Sequence, residues 1–274
     1  MFENQVVIIT GAGRGIGAAA ARLFAQHGAR VVVNDLDAGP CEAVVAEIEA
    51  GGAAALAAPG DVTDPAFPDR LMQTTVDAYG TINVLVNNAG FTWDGMLHKM
   101  SDEQWQRILD VHATAPFRMI RATAPYMREP AKAELAAGAG FKEPRCIVNV
   151  SSTSGLHGKA GQINYATAKM GIVGLTKTVA REWGRFGIRC NAVAFGFIDT
   201  RLTQPKEDGD TMTVGGHEVS LGIPDAMREM AFPMIPLGRP ATPEEAAGGI
   251  LLMASPFAAY ITGHTLEVTG GAGI

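Results

Sequence analysis

Short β-branched apolar runs alternate with longer helical stretches along the whole chain, and this alternation constrains the fold more than any other feature. The apolar runs fall at residues 5–10, 30–35, 54–58, 82–87, 145–150, 187–194 and 265–268, and the helical stretches at 15–27, 39–50, 65–79, 102–127, 163–186 and 243–254. Within each run the apolar residues are contiguous rather than alternating, which suits parallel strands covered on both faces. The expected architecture is therefore α/β, a doubly wound sheet of about seven parallel strands with helices on both sides. A hydrophobic share of 47% against 18% charged residues can fill such a core and excludes intrinsic disorder. One seven-stranded sheet uses all 274 residues, so a single domain, 1–274, is expected rather than two.

Two segments interrupt the alternation. Residues 129–144 are rich in alanine and glycine between two prolines and read as a surface insertion. Residues 195–240 carry five prolines and follow the sixth strand, on the carboxyl side of the sheet where open α/β folds take ligands. They are expected to form a substrate lid. Met212, Met227, Met230, Phe232, Met234 and Ile235 make it apolar and adaptable, as a hydrophobic substrate or close packing onto the sheet would require.

The charge balance of 22 Lys and Arg against 28 Asp and Glu, net −6, lacks the basic footprint that nucleic acid or an anionic membrane would need. Cys41, Cys146 and Cys190 are widely spaced and odd in number. With no CxxC pair and no HExxH motif, neither a disulfide framework nor a metal site is expected. Residues 1–5 enter the first strand without a basic stretch and apolar leader, and no apolar run reaches about 18 residues, so the expectation is a cytoplasmic protein.

The first strand ends in Thr10-Gly11-Ala12-Gly13-Arg14-Gly15-Ile16-Gly17 and an alanine-rich helix follows. Glycines at 11, 15 and 17 permit a tight turn, a close backbone approach to a ligand and close helix–strand packing. The helix N-terminus then points unpaired N–H groups at an anion, typically a pyrophosphate, which makes this a Rossmann-type dinucleotide turn. Asp35 closes the second strand 18 residues beyond Gly17. Its carboxylate can accept both ribose hydroxyls of NAD and would repel the 2′-phosphate of NADP. Arg14 pulls the other way, since its cation could pair with that phosphate, but it sits in an exposed turn and can swing aside. NAD is favoured. Asp61 and Val62 could meet the adenine edge, or Asp61 could simply open the helix signalled by Asp64 and Pro65.

Tyr165-Ala166-Thr167-Ala168-Lys169 opens a long helix, and residues i and i+4 share a face, so the Lys169 ammonium can approach the Tyr165 phenol. A phenol of ordinary pKa is ionised about one part in a thousand at pH 7, and a close cation in a half-buried site can lower it. Ser151 and Ser152 follow the strand at 145–150, at the edge where a substrate would lie. A serine hydroxyl there can donate to a carbonyl while the tyrosine moves a proton.

The glycine loop, Asn87-Asn88-Ala89-Gly90, and a serine 13 residues before Tyr165-x3-Lys169 together resemble the short-chain dehydrogenase/reductase family, over essentially the whole chain. The resemblance implies that Ser152 rather than Ser151 orients substrate, that Tyr165 is the acid/base, and that Lys169 tunes Tyr165 and bonds the nicotinamide ribose. It implies that Asn88, Ala89 and Gly90 line the cofactor and that Thr200 meets the carboxamide. It also implies a homodimer or homotetramer built through the long helices. Two positions depart from the pattern. His112 stands where the family usually has an asparagine that helps hold a water in the proton path. A histidine can replace it as donor or acceptor, and adds a group able to change charge in the working pH range. Pro116 lacks an N–H for the carbonyl four residues earlier, so a kink is expected that leaves the His112 carbonyl free for the water. Phe195 stands where a proline usually precedes Gly196.

His112 and the segment Val31-Val32-Val33-Asn34-Asp35-Leu36-Asp37 resemble (3R)-hydroxyacyl-CoA dehydrogenases, and the general pattern resembles 3-oxoacyl-acyl-carrier-protein reductases. The implied activity is hydride transfer between a nicotinamide cofactor and a 3-hydroxyacyl/3-oxoacyl thioester. A steroid or other hydrophobic secondary alcohol fits the same catalytic residues, and a catalytically inactive nucleotide sensor would keep the fold.

Overall fold

The seven expected runs pair as one parallel sheet in a computed structural model that describes residues 1–138, 140–214 and 216–273. In chain order the elements are β1 (Val6–Ile9), α1 (Gly15–Gln26), β2 (Arg30–Val33), α2 (Ala38–Ala50), β3 (Ala55–Ala57), α3 (Phe67–Tyr79), β4 (Val84–Asn87), α4 (Asp102–Leu109) and α5 (Ala115–Ala136). There follow β5 (Arg145–Ser152), α6 (Thr153–His157), α7 (Ile163–Trp183), β6 (Ile188–Phe195), β7 (Thr211–Val214), β8 (His217–Ser220), α8 (Asp225–Ala231), α9 (Pro243–Ala254) and β9 (Thr265–Val268). The strand order is β3-β2-β1-β4-β5-β6-β9. The order reverses between β1 and β4, so the loops beyond their carboxyl ends diverge and open a crevice there.

Contiguous apolar strands follow from this geometry. Along β1, Val7 and Ile9 join the core under α1, α2 and α9, whereas Val6 and Ile8 join the core under α3, α5 and α7. Both faces are dry, so neither can carry the polar residues of a half-wet strand. The three cysteines are free thiols buried within these layers. No helix of the described residues is long and apolar enough to cross a membrane.

Three elements differ from the sequence expectation. β5 extends past Val150 because β6 extends to Phe195 and offers it partners, Ser151 opposite Ala194 and Ser152 opposite Phe195. Both serines therefore sit in the strand rather than after it. The helix expected to kink at Pro116 instead widens by one residue per turn over Asp110–Thr114, where Ala115 N–H reaches back to the Asp110 carbonyl. The wider turn shifts the hydrogen-bond register around the missing proline donor, so the helix continues without breaking. The segment 129–144 opens as the last turns of α5, since alanine-rich sequence favours helix, and its described residues beyond Ala136 are irregular. There Glu134 grips Arg145, the first residue of β5, with two bonds of 3.0 and 2.7 Å.

The segment 195–240 holds the β7–β8 hairpin and α8 over the crevice. Arg201 ties the hairpin down through the Asp210 carboxylate and the Thr211 carbonyl. Met212, Met234 and Ile235 line the space beneath, and Phe232 meets Phe197 edge-on at 5.2 Å. Met227 and Met230 are exposed on α8, and Met234 at the rim of the space is largely exposed as well.

The Arg145 guanidinium is buried, and its two hydrogen bonds hold the carboxyl of its partner Glu134 down at about 2. This carboxyl stabilises the fold fully above the ordinary range near 4.5, and the contribution disappears as pH falls through about 2. Glu134→Gln strands the buried cation and is expected to cost about 3 kcal/mol in urea unfolding at neutral pH. A loss below about 0.5 kcal/mol, the range of ordinary surface substitutions, would refute the assignment.

Candidate active site

A cleft of about 690 Å³ opens where the strand order reverses. Its nucleotide side is built on the loop after β1. Gly11 and Gly15 take left-handed φ values of 62° and 53°. A Cβ on Gly17 would stand 2.1 Å from the Gly11 carbonyl oxygen, so only glycine lets α1 come this close to the strand end. Arg14 forms the extended N-cap of α1 without a side-chain cap, which leaves first-turn N–H groups open to the cleft. This cradle fits a dinucleotide pyrophosphate.

Thr10, which the sequence reading missed, holds the cradle together. Its hydroxyl accepts from the Asn88 and Ala89 backbone N–H groups at 3.0 and 3.1 Å. The Asn88 amide donates to the Thr10 and Gly11 carbonyls, so Asn88 lines the cleft while its side chain braces the two loops. Asp35 accepts from Gly13 N–H at 2.9 Å and from Asp37 N–H at 3.3 Å, which fixes its carboxylate at the cleft wall. Arg14 turns to Asp37 at 2.9 Å and lies 4.0 Å from Asp35. Asp61 and Val62 also line the cleft, with Asp61 accepting from Thr63 in a local turn while α3 starts only at Phe67. Ile16 and Thr200 close this side, the latter beside Gly15.

Ser152, Tyr165, Lys169 and His112 come together on the opposite wall. Ser151 turns inward and donates to the Lys169 carbonyl at 2.8 Å, leaving Ser152 as the serine that faces the cleft. Gly155 in α6 has no room for a Cβ, which would stand 2.8 Å from the Lys169 backbone. That close contact seats α6 on α7. The Ser152 hydroxyl eases the Tyr165 phenol, but exclusion of water by the walls and the negative charge of Asp94 push it up to about 12. Burial outweighs the lowering expected from Lys169. Its ammonium lies 5.5 Å from the ring centre and donates to the Val150 carbonyl at 2.7 Å, while burial brings Lys169 down to about 7.

His112 is buried, edge-on to Tyr165 at 5.0 Å. Its Nε2 lies 2.7 Å from the Phe91 carbonyl oxygen and 3.3 Å from the Phe91 N–H; two acceptors would repel at the shorter distance, so the proton is assigned to Nε2, which donates to the carbonyl. Nδ1 is then a bare acceptor, and it has no partner among the described residues. Burial first, then the Lys169 charge, hold His112 well below its ordinary range, so it is neutral and does not add the charge change expected of it. The ring also explains Gly90: a Cβ there would stand 2.1 Å from His112 Cε1. Besides Thr10, sequence reading missed Asp94, Ser154 and Gln162, which no local motif marks.

A family model described as enoyl-(acyl carrier protein) reductase matches residues 11–273. The chain belongs to the short-chain dehydrogenase/reductase family. Among similar proteins, the 3-oxoacyl-[acyl-carrier-protein] reductase of Thermotoga maritima is 37% identical over 98% of both chains. That of Synechocystis is 40% identical over 97% of this chain and 96% of its own, and that of Escherichia coli 34% over 98% of each. This family member is accordingly a nicotinamide-dependent oxidoreductase acting between keto and CH–OH groups.

In this short-chain dehydrogenase/reductase, Gly90→Ala is expected to cost about 1–3 kcal/mol of stability by forcing a methyl into the His112 ring. In a His112→Ala background, where the ring is gone, the same Gly90→Ala change should cost much less than in wild type in denaturant unfolding. An equal cost in both backgrounds would contradict the packing.

Proposed function

We propose that this protein reduces the C3 keto group of a 3-oxoacyl thioester to the alcohol, and runs the reverse oxidation, with NAD as cofactor. The observation carrying this reading is the pair of hydroxyls, Ser152 and Tyr165, on the cleft wall across from the glycine cradle. Two donors suit a carbonyl oxygen, and the relatives named 3-oxoacyl reductases support the thioester. Apolar Met212, Met234 and Ile235 under the lid suit the acyl chain.

The bound nicotinamide would supply or take up the hydride. Gly11, Arg14, Gly15, Ile16 and Gly17 would hold the pyrophosphate, Asp35 the adenosine ribose, and Asp61 and Val62 the adenine edge. Asn88, Ala89 and Gly90 would form the inner wall, Lys169 would bond the second ribose, and Thr200 the carboxamide. Ser152 donates a hydrogen bond to the substrate oxygen, and Tyr165 transfers its phenolic proton there as negative charge develops. Pushed up to about 12, the phenol keeps its proton at neutral pH and is ready as the acid of reduction. The nearby Lys169 steadies the phenolate left behind. Neutral His112 offers Nδ1 to a water that returns the proton, in the asparagine's place.

Asp35 and Asp37 would face a 2′-phosphate with two negative charges, and Arg14 is already paired to Asp37, which supports NAD over NADP. Exposed Phe117 on α5 and Met170 on α7, with Phe257 and Tyr260 beyond α9, support a homodimer or homotetramer. Three free buried thiols support a cytoplasmic setting.

Reduction of acetoacetyl-CoA, followed by loss of NADH absorbance, tests the reading. Tyr165→Phe should lower kcat about a hundredfold or more, and equal rates for variant and wild type would sink the enzymatic role. Wild type should prefer NADH, with Asp35→Ala moving kcat/KM toward NADPH; a wild-type preference for NADPH would overturn the cofactor choice. His112→Ala should change the pH–rate profile, and an unchanged profile would remove His112 from the proton path.

A further inference from the structure

A line of side chains leads from the edge of the cleft to Ser152. The Gln162 amide nitrogen donates to Asp94 Oδ2 at 2.9 Å. Ser154 Oγ donates to Gln162 Oε1 at 3.0 Å, and the Ser154 backbone N–H donates to Ser152 Oγ at 3.1 Å. The two loops that carry this line are zipped beside it, with Gly95 N–H on the Gly161 carbonyl at 2.8 Å and Gly95 paired with Gln162. Gln162 is buried, so the amide has one orientation to adopt.

That orientation follows from chemistry. An ionised carboxylate has only acceptors, so Gln162 must turn its NH2 to Asp94 and its carbonyl to Ser154. The Ser154 hydroxyl proton is then committed to Gln162, and Ser154 is held where its N–H reaches Ser152. With one lone pair of Ser152 Oγ occupied by that N–H, the serine's own proton is left to point into the cleft. We propose that Asp94, Gln162 and Ser154 are positioning residues that orient the Ser152 hydroxyl as a donor to the substrate carbonyl. The proposal rests on the reading of Ser152 given above.

Asp94 acts a second way, because its negative charge works against ionisation of Tyr165. Lys159 and Lys206 face Asp94, while Lys169, His112 and Ser152 face Tyr165. Neutralising Asp94 therefore moves the phenol's titration to lower pH.

The test compares Ser152→Ala, Ser154→Ala, Gln162→Ala, Gln162→Ala/Ser154→Ala and Asp94→Asn in acetoacetyl-CoA reduction, with NADH binding measured by fluorescence. Gln162→Ala and Ser154→Ala should each lower kcat about three- to tenfold, the worth of one hydrogen bond, with little change in KM or NADH affinity. The double variant should match the poorer single one, since both cut the same line. Asp94→Asn should shift the alkaline limb of the pH profile to lower pH. Additive losses, kcat unchanged in both single variants, or an unmoved alkaline limb would overturn the proposal while Ser152→Ala remains impaired. Full activity in Ser152→Ala would overturn the underlying reading, and this one with it. Should Gln162→Ala lose NADH binding, Ser154→Ala, which removes one hydroxyl and keeps the backbone donor, decides alone.

Discussion

Everything at the catalytic wall hangs on the seam between β5 and α7. Two adjacent strand residues are engaged: the Ser151 hydroxyl donates to the Lys169 carbonyl, and the Lys169 ammonium donates back to the Val150 carbonyl. This reciprocal pair fixes the rotation of α7 about its own axis. Tyr165, one turn earlier, is thereby aimed at the cleft, and Ser152, one residue later on the strand, faces it. The seam works only because β5 runs on to residue 152 and because Gly155 lets α6 lie against α7. A strand ending at Val150 would leave both serines in a mobile turn.

The same burial that makes the seam rigid sets the protonation states. Away from water, each group is driven to its neutral form: the Tyr165 phenol up to about 12, the Lys169 amine down to about 7, His112 well below its ordinary range. The cluster is thus an acid store rather than an ion pair, with Lys169 poised between its charged and neutral forms at neutral pH. Opposite it, the cradle after β1 supplies backbone N–H groups and a glycine-lined floor. One wall presents main-chain donors, the other side chains, and the sheet's reversal places them face to face.

Much of this was legible in the residues because it is local or periodic. Contiguous apolar runs mark strands buried on both sides, and the glycine loop, Asp35 and the Tyr165–Lys169 spacing each report a constraint met within a few residues. What escaped depends on contacts between distant segments. The length of β5 is decided by β6, and the helix continues past Pro116 through a wider turn that takes up the missing donor. The hairpin over the crevice has too few apolar positions to announce itself, and α8 turns Met227 and Met230 outward by its own rotation. The phenol expected to be lowered by i, i+4 spacing is instead raised for a related reason: proximity along a helix says nothing of how far the surrounding walls exclude water. Asp94 and Gln162 lie 68 residues apart, and no spacing rule joins them.

The contact between Gly90 and the His112 ring imposes a direction on change. While histidine occupies 112, every side chain at 90 meets it, so that glycine is locked for as long as the ring is present. Replacing the ring first frees position 90, whereas the opposite order passes through a clash. A library that randomises residue 90 alone therefore samples almost entirely from sequences this core rejects.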